Sequence, residues 1–178
     1  AADLSDAVDQ HSTASKPDLK PQLINSAKDL QELMQRLQTC TDPAAPVALD
    51  TETSDLNPFK AQLVGIGVCW GPGLEELAYI PVGHRVAEQP TPDPTATVAQ
   101  LPLETVLEQM AGWLASPKHP KALQNAKYDR LILLRHGLPL AGVTMDTLLA
   151  DYLRDAAAKH GLDAMAERMY GITPTLFS

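Results

Sequence analysis

Aromatic side chains are scarce: Phe, Tyr and Trp together make up 4% of the 178 residues. A surface that stacks successive nucleic-acid bases on rings needs several of them, so a broad platform of that kind is excluded. Leu, Val, Ile, Met and Ala must therefore build the core. Cysteine is nearly absent, and the positions of Cys40 and Cys69 fit neither a metal-ligand spacing nor a disulfide framework. Both are expected to be free thiols of a reducing compartment, which points to the cytoplasm. No stretch approaches the roughly 18 apolar residues of a membrane span, and no charged-then-apolar leader opens the chain. Positive charge is also in deficit: 14 Lys and Arg stand against 22 Asp and Glu, for a net charge of −8 and a pI near 5.0. This balance excludes an extended phosphate-binding surface that works by counterion release, but not a small site bridged by metal ions.

What is present is an ordinary globular composition, 44% apolar and 20% charged, in a length that suits one domain with a sizeable core. Residues 1–20 are polar and lack a sustained apolar period, so a tail or interdomain linker is expected there, with the fold beginning near Pro21. The first residue is Ala1 rather than Met, as expected of a fragment. Ser26 is placed to cap a helix whose apolar stripe is Leu30, Leu33, Met34 and Leu37. Val47-Ala48-Leu49 reads as a buried strand that emerges into Asp50-Thr51-Glu52. Residues 62–70 and 77–82 read as two further strands, joined as an antiparallel hairpin by Gly71-Pro72-Gly73. A Pro- and Thr-rich loop is expected over 86–102, and a helix over 103–114. A short strand at 121–124 then leads into a helix carrying Tyr128, Leu131, Ile132 and Leu134, with Asn125 as its cap. A last strand near Val143 and helices over 146–154 and 162–169 complete the order. The pattern predicts the α/β class: a mixed sheet of about five strands with one antiparallel hairpin, flanked by helices.

Charge is uneven along the chain. From Ser116 to His136 the ionisable residues are Lys118, His119, Lys121, Lys127, Arg130, Arg135 and His136, with Asp129 the only acid. This predicts either a basic patch around one carboxylate or simply a solvated helix face.

Two short motifs carry possible chemistry. In Asp50-Thr51-Glu52 the acids stand at i and i+2 of a strand, on one face and roughly 6.5–7 Å apart along it, so both carboxylates can converge on hard cations. A solvated strand edge would carry the same residues. Gln124-Asn125-Ala126-Lys127-Tyr128-Asp129 lies where a strand turns into a helix, and Asp129 falls in the first helical turn, where the dipole favours the ionised form. That suits a metal ligand, and equally an acid that only stabilises its own helix.

Taken together and in order, these strings resemble the first two motifs of the acidic 3′→5′ exonucleases. Further strings resemble the proofreading domain of the bacterial DNA polymerase I family: Asp50-Thr51-Glu52-Thr53-Ser54-Asp55-Leu56, Leu63-Val64-Gly65, Ala78-Tyr79-Ile80-Pro81-Val82, Gln124-Asn125-Ala126-Lys127-Tyr128-Asp129-Arg130, Met145-Asp146-Thr147 and Leu162-Asp163-Ala164-Met165-Ala166-Glu167-Arg168. The resemblance runs from about residue 23 to 170.

The resemblance implies a ribonuclease H-like fold and a two-metal site that releases nucleoside 5′-monophosphates from DNA 3′ ends. Asp50, Glu52 and Asp129 match three of four metal-binding carboxylates, and the implied cofactors are two divalent cations, Mg²⁺ or Mn²⁺. Leu56 matches a residue that wedges between terminal bases, while Thr53, Gln124, Asn125 and Tyr128 match positions lining the strand's 3′ end. The implied partners are a single-stranded DNA 3′ end and a polymerase domain of the parent chain, with the protein a monomer. One departure stands out. The family's third motif, Tyr or His followed four residues later by Asp, has no match after Asp129, and Tyr152-Leu153-Arg154-Asp155 and His160-Gly161-Leu162-Asp163 are each one residue short. Residues 21–178 are therefore expected to be an incomplete exonuclease domain, weak or inactive alone. A ribonuclease D-type RNA exonuclease and a catalytically silent polymerase domain are the competing readings.

Overall fold

A computed structural model describes residues 18–84 and 99–172. Among them, six strands form one mixed sheet in the order β1-β4-β3-β2-β5-β6. The strands are β1 (Gln22–Leu23), β2 (Val47–Thr53), β3 (Leu63–Cys69), β4 (Leu77–Pro81), β5 (Lys121–Leu123) and β6 (Val143–Asp146), and the helices are α1 (Ala27–Thr39), α2 (Leu103–Leu114), α3 (Ala126–Arg135), α4 (Thr147–Arg154) and α5 (Leu162–Tyr170). β3 runs antiparallel to both β2 and β4, whereas β5 pairs parallel with both β2 and β6. The α/β class and the helix-flanked mixed sheet are as the sequence predicts. β1 is an unanticipated sixth strand, parallel to β4 at the edge. It has two residues, both exposed, too few to show an alternating period.

One face of the sheet is covered. Val47, Leu49, Ile66, Val68, Ala78 and Ile80 project into a single core shared with the apolar stripes of α1, α2 and α3. Helix α1 starts where expected: Ser26 Oγ accepts from the Asp29 amide at 3.2 Å, and Leu30, Leu33, Met34 and Leu37 are buried. The opposite face carries Ala48, Asp50, Gly67, Cys69, Leu77, Tyr79 and Ala122, and forms the floor of an open, mostly apolar cleft of about 440 Å³. Thr147 and Leu162, from the starts of α4 and α5, stand at its rim.

One local expectation holds and one is corrected. β2 runs through Asp50 and Glu52, as the placing of both acids on one strand face requires, with Gly67 and Gly65 of β3 paired to them in register. Asn125 does not cap α3 with its side chain; it sits in the left-handed region at φ 62°, which Asn tolerates better than most residues. The cap comes from Asp146, whose carboxylate accepts from the amides of Asn125 (3.2 Å) and Ala126 (2.9 Å) while also capping α4 through Leu148 and Leu149. The expected tail over 1–20 and the loop over 86–102 lie largely outside the described residues. Lys20 is already tied to the fold, its amide donating to the Leu74 carbonyl at 2.8 Å.

Candidate active site

Strand alternation places Asp50 and Glu52 side by side on the open face and turns Thr51 between them into the covered one. Thr51 meets Asp129 there. Its backbone amide (3.0 Å) and hydroxyl (2.7 Å) both donate to the same Asp129 oxygen. The first turn of α3 is thereby latched to the strand that bears the other two acids. Asp129 is 2% exposed.

The three carboxyls form one electrostatic unit centred on Asp50. Burial raises the Asp50 pKa, opposed by the hydrogen bond from the Thr51 amide. Glu52 is raised by burial and then by the charge of Asp50, with His84 acting the other way. Asp129 is pushed up to about 6, first by burial, against the Thr51 hydroxyl bond, with Asp50 adding to the rise. Nearby positive charge would relieve both the burial cost and the mutual repulsion of acids so placed. The donors are all carboxylate oxygens, the set that Mg²⁺ and Mn²⁺ prefer. Among the described residues, however, no three such side chains already converge as a metal-holding group. Asp50 and Glu52 share the open face while one oxygen of Asp129 is committed to Thr51.

Around these acids the family-matched positions fall into two groups. The first surrounds the loop after β2. Pairing shifts register between Glu52 and Thr53, an irregularity that re-aims the strand end. The Tyr128 hydroxyl donates to the Asp55 carbonyl at 2.5 Å and shares a 2.5 Å hydrogen bond with the Thr53 hydroxyl. Arg135 spans the far side of the loop, its Nη1 donating to the carbonyls of Pro58 (2.7 Å) and Ala61 (2.6 Å). The loop so braced presents Leu56, 95% exposed, at its tip. The second group is at the end of β5. Gln124 donates from Nε2 to the His160 carbonyl (2.8 Å), accepts from the Thr147 hydroxyl, and lines the cleft beside Asp50. Asn125 follows in its left-handed turn, leaving its side chain free of capping.

Two members of the basic run over 116–136 are committed inside the fold. Lys121 is fully buried over the Trp113 ring, with Nζ donating to the carbonyls of Ser116, His119 and Ala141, and the Arg135 guanidinium is spent on the Leu56 loop. Asp151 is likewise structural: its buried carboxylate is held below the usual range by hydrogen bonds from His160 (2.7 Å) and Arg168 (both at 2.7 Å).

Two residues near the acids escape sequence reasoning. Tyr79 lies on the open face one strand beyond Gly67, and its hydroxyl meets His84 Nε2 at 2.6 Å. Only the alternation of β4 hints at Tyr79, and that becomes legible once its register against β3 is known; His84 lies beyond the strand's end and has no local signal.

An acid pair on a central strand, a third acid on a later helix and this mixed sheet define the fold of the ribonuclease H-like 3′-5′ exonucleases. The chain belongs to the 3′-5′ exonuclease family of A-type DNA polymerases, whose pattern it matches over residues 21–177. It is 39% identical to DNA polymerase I of Synechocystis over 150 residues, covering 84% of this chain and 14% of that one. The chain thus spans about a seventh of the length of that relative. Among solved structures it resembles the POL domain of Pol1 from M. smegmatis in complex with DNA primer-template and dNTP (TM-score 0.58, 24% identity, 87% of this chain and 22% of that one). It also resembles Escherichia coli RNase D, an exoribonuclease involved in structured RNA processing (TM-score 0.57, 23% identity, 88% and 35%). Among the described residues no helix is long and apolar enough to cross a membrane.

Proposed function

We propose that this chain is the proofreading 3′→5′ exonuclease module of a DNA polymerase I, acting on single-stranded DNA 3′ ends beside the polymerase domain of its parent chain, as a monomer. The observation that carries the proposal is the double hydrogen bond from Thr51 to Asp129. It fixes the helix-borne acid to the strand that displays Asp50 and Glu52, so carboxylates from two distant stretches of sequence are held on neighbouring elements.

Asp50, Glu52 and the uncommitted oxygen of Asp129 would hold divalent cations, Mg²⁺ or Mn²⁺. Such a pair supplies an activated water and stabilises the leaving 3′ oxygen of an in-line displacement. The chain's own residues would do the rest. Leu56, held out by the Arg135 and Tyr128 braces, would separate the terminal base from its neighbour. Thr53 and Tyr128 line the approach on the Glu52 side, and Gln124 and Asn125 on the Asp50 side. With three matched carboxylates rather than four, turnover by this chain alone is expected to be slow.

The test is hydrolysis of a 5′-labelled single-stranded oligonucleotide by this chain and by its longer parent, with Mg²⁺ or Mn²⁺. Release of nucleoside 5′-monophosphates, fast in the parent, slow in the chain and lost in Asp50→Ala, supports the proposal. Preference for an RNA 3′ end would favour the ribonuclease D reading. No metal binding even in the parent would leave a structural domain. Equal turnover by both proteins, abolished in each by Asp50→Ala, would show that three carboxylates suffice.

A further inference from the structure

Beside the acids, β3 is bare. Gly65 lies directly opposite Glu52 and Gly67 directly opposite Asp50, while Gly67 also faces Tyr79 on β4. Directly paired residues of an antiparallel ladder point to the same face, so Asp50, Glu52, the two glycines and Tyr79 share the open side of the sheet. The Tyr79 ring does not stand upright over its own row but leans along β4 across Gly65. A Cβ placed on Gly65 would lie 1.9 Å from the Tyr79 hydroxyl oxygen and 2.3 Å from Cζ. The phenol therefore fills the place that a side chain at position 65 would take, next to Glu52. Since paired Cβ atoms lie roughly 4.5–5.5 Å apart, the phenol stands beside the Glu52 side chain, although the hydrogen bond its hydroxyl makes is to His84 rather than to the carboxylate.

The phenol is held from its far side. His84 Nε2 meets the hydroxyl at 2.6 Å, with the two rings edge to face at 5.7 Å between centroids. His84 is itself clamped: its amide donates to Gln100 Oε1 (3.0 Å) and its carbonyl accepts from Gln100 Nε2 (2.9 Å). A small tyrosine-histidine unit thus stands on a glycine floor beside the acid pair. The electrostatics agree, since Tyr79 is raised by burial and then by the charge of Glu52, which in turn is lowered by His84.

We propose that Tyr79, buttressed by His84, is a positioning residue that sets the orientation of the Glu52 carboxylate. The proposal rests on the exonuclease reading for its purpose, and on the strand register for its geometry. Tyr79 lies on the floor of the cleft rather than among the positions matched to the DNA 3′ end, and both residues would act through Glu52.

The experiment uses the full chain with ¹³C-labelled glutamate carboxyls, the Glu52 signal being assigned by its loss in Glu52→Gln. In the metal-free protein, Tyr79→Phe is expected to move the Glu52 carboxyl resonance and leave the other glutamates in place, and His84→Gln to move it less. Mn²⁺ affinity, read by electron paramagnetic resonance, is expected to fall up to about tenfold in Tyr79→Phe and to show no further loss when the same change is made in Glu52→Gln. Gly65→Ala, which evicts the ring, should reproduce the Tyr79→Phe result. An unmoved Glu52 resonance in a folded Tyr79→Phe variant, or an equal loss of Mn²⁺ affinity with and without Glu52, would overturn the proposal. If the wild-type chain binds no Mn²⁺, the metal reading fails for this chain while the carboxyl resonance still decides the role of Tyr79.

Discussion

Thr51 and Asp129 are joined twice through one oxygen, at 3.0 Å from the backbone amide and 2.7 Å from the hydroxyl. Residues 78 apart in sequence thus hold a buried carboxyl whose pKa stands near 6. The neutral form of Asp129 favours the fold. Its contribution is complete below the unfolded value of about 3.8 and gone above about 6, so stability falls on this account as pH rises through that window. Asp129→Asn keeps an acceptor for Thr51 without the charge. At pH 7 and without metal, it is expected to stabilise the chain by on the order of 1–3 kcal/mol, while losing any thermal shift on addition of Mn²⁺. Thermal melts at pH 4.5 and 7, with and without Mn²⁺, check both; a destabilised variant at pH 7 would contradict the assignment.

Leu56 tests the wedge directly because it contributes nothing to packing. At 95% exposure, Leu56→Ala should change stability by less than about 0.5 kcal/mol. Cleavage of single-stranded DNA by the parent polymerase should nonetheless slow, most clearly at low substrate concentration. Unchanged kcat/KM in the variant would assign Leu56 to the surface alone.

Lys121 has a structural task. Its ammonium feeds three carbonyls under the Trp113 ring, and burial lowers its pKa to about 8, so it is charged at pH 7. The folded value lies below the unfolded one, so this group makes the fold more stable as pH rises from about 8 towards 10.5. Lys121→Met fills the volume but strands the carbonyls, at an expected cost of roughly 2–4 kcal/mol. Denaturant melts at pH 7 and 9 measure it, and the pH 9 increment should vanish in the variant.

Asp146 caps two helices at once through four amides. Asp146→Ala should cost more than the roughly 1 kcal/mol of an ordinary cap, about 2 kcal/mol or above, and hydrogen exchange should quicken at the first turns of both α3 and α4. Protection lost in α4 alone would show that the bonds to Asn125 and Ala126 are minor.

Metal removal bears on the site as a whole. Chelation by EDTA, or Asp50→Ala, should lower nuclease turnover by at least about a hundredfold, the equivalent of several kcal/mol of transition-state stabilisation. Either change should leave the melting temperature of the metal-free chain nearly unaltered.

Much of this was legible in the residues themselves. The 3.6-residue stripes of α1 and α2, the Ser26 cap and the alternation of β2 are local, and local periodicity decides which side chains a helix or strand buries. The spacing Asp50-Thr51-Glu52 likewise put both acids on one face before any fold was known. The tertiary structure decided what depends on pairs of distant residues. Asn125 had the chemistry of a cap, but Asp146 took that role from 21 residues away. Within the basic run over 116–136, only the fold decided that Lys121 is buried under α2 and that Arg135 reaches to the Leu56 loop. Most of all, the register of β3 and β4 set two glycines beside the acids and laid Tyr79 across one of them. Sequence alone determined which carboxylates could share a face, because that follows from the two-residue period of a strand. Only the folded sheet decided what stands next to them, because strand pairing joins residues whose separation along the chain carries no periodic signal.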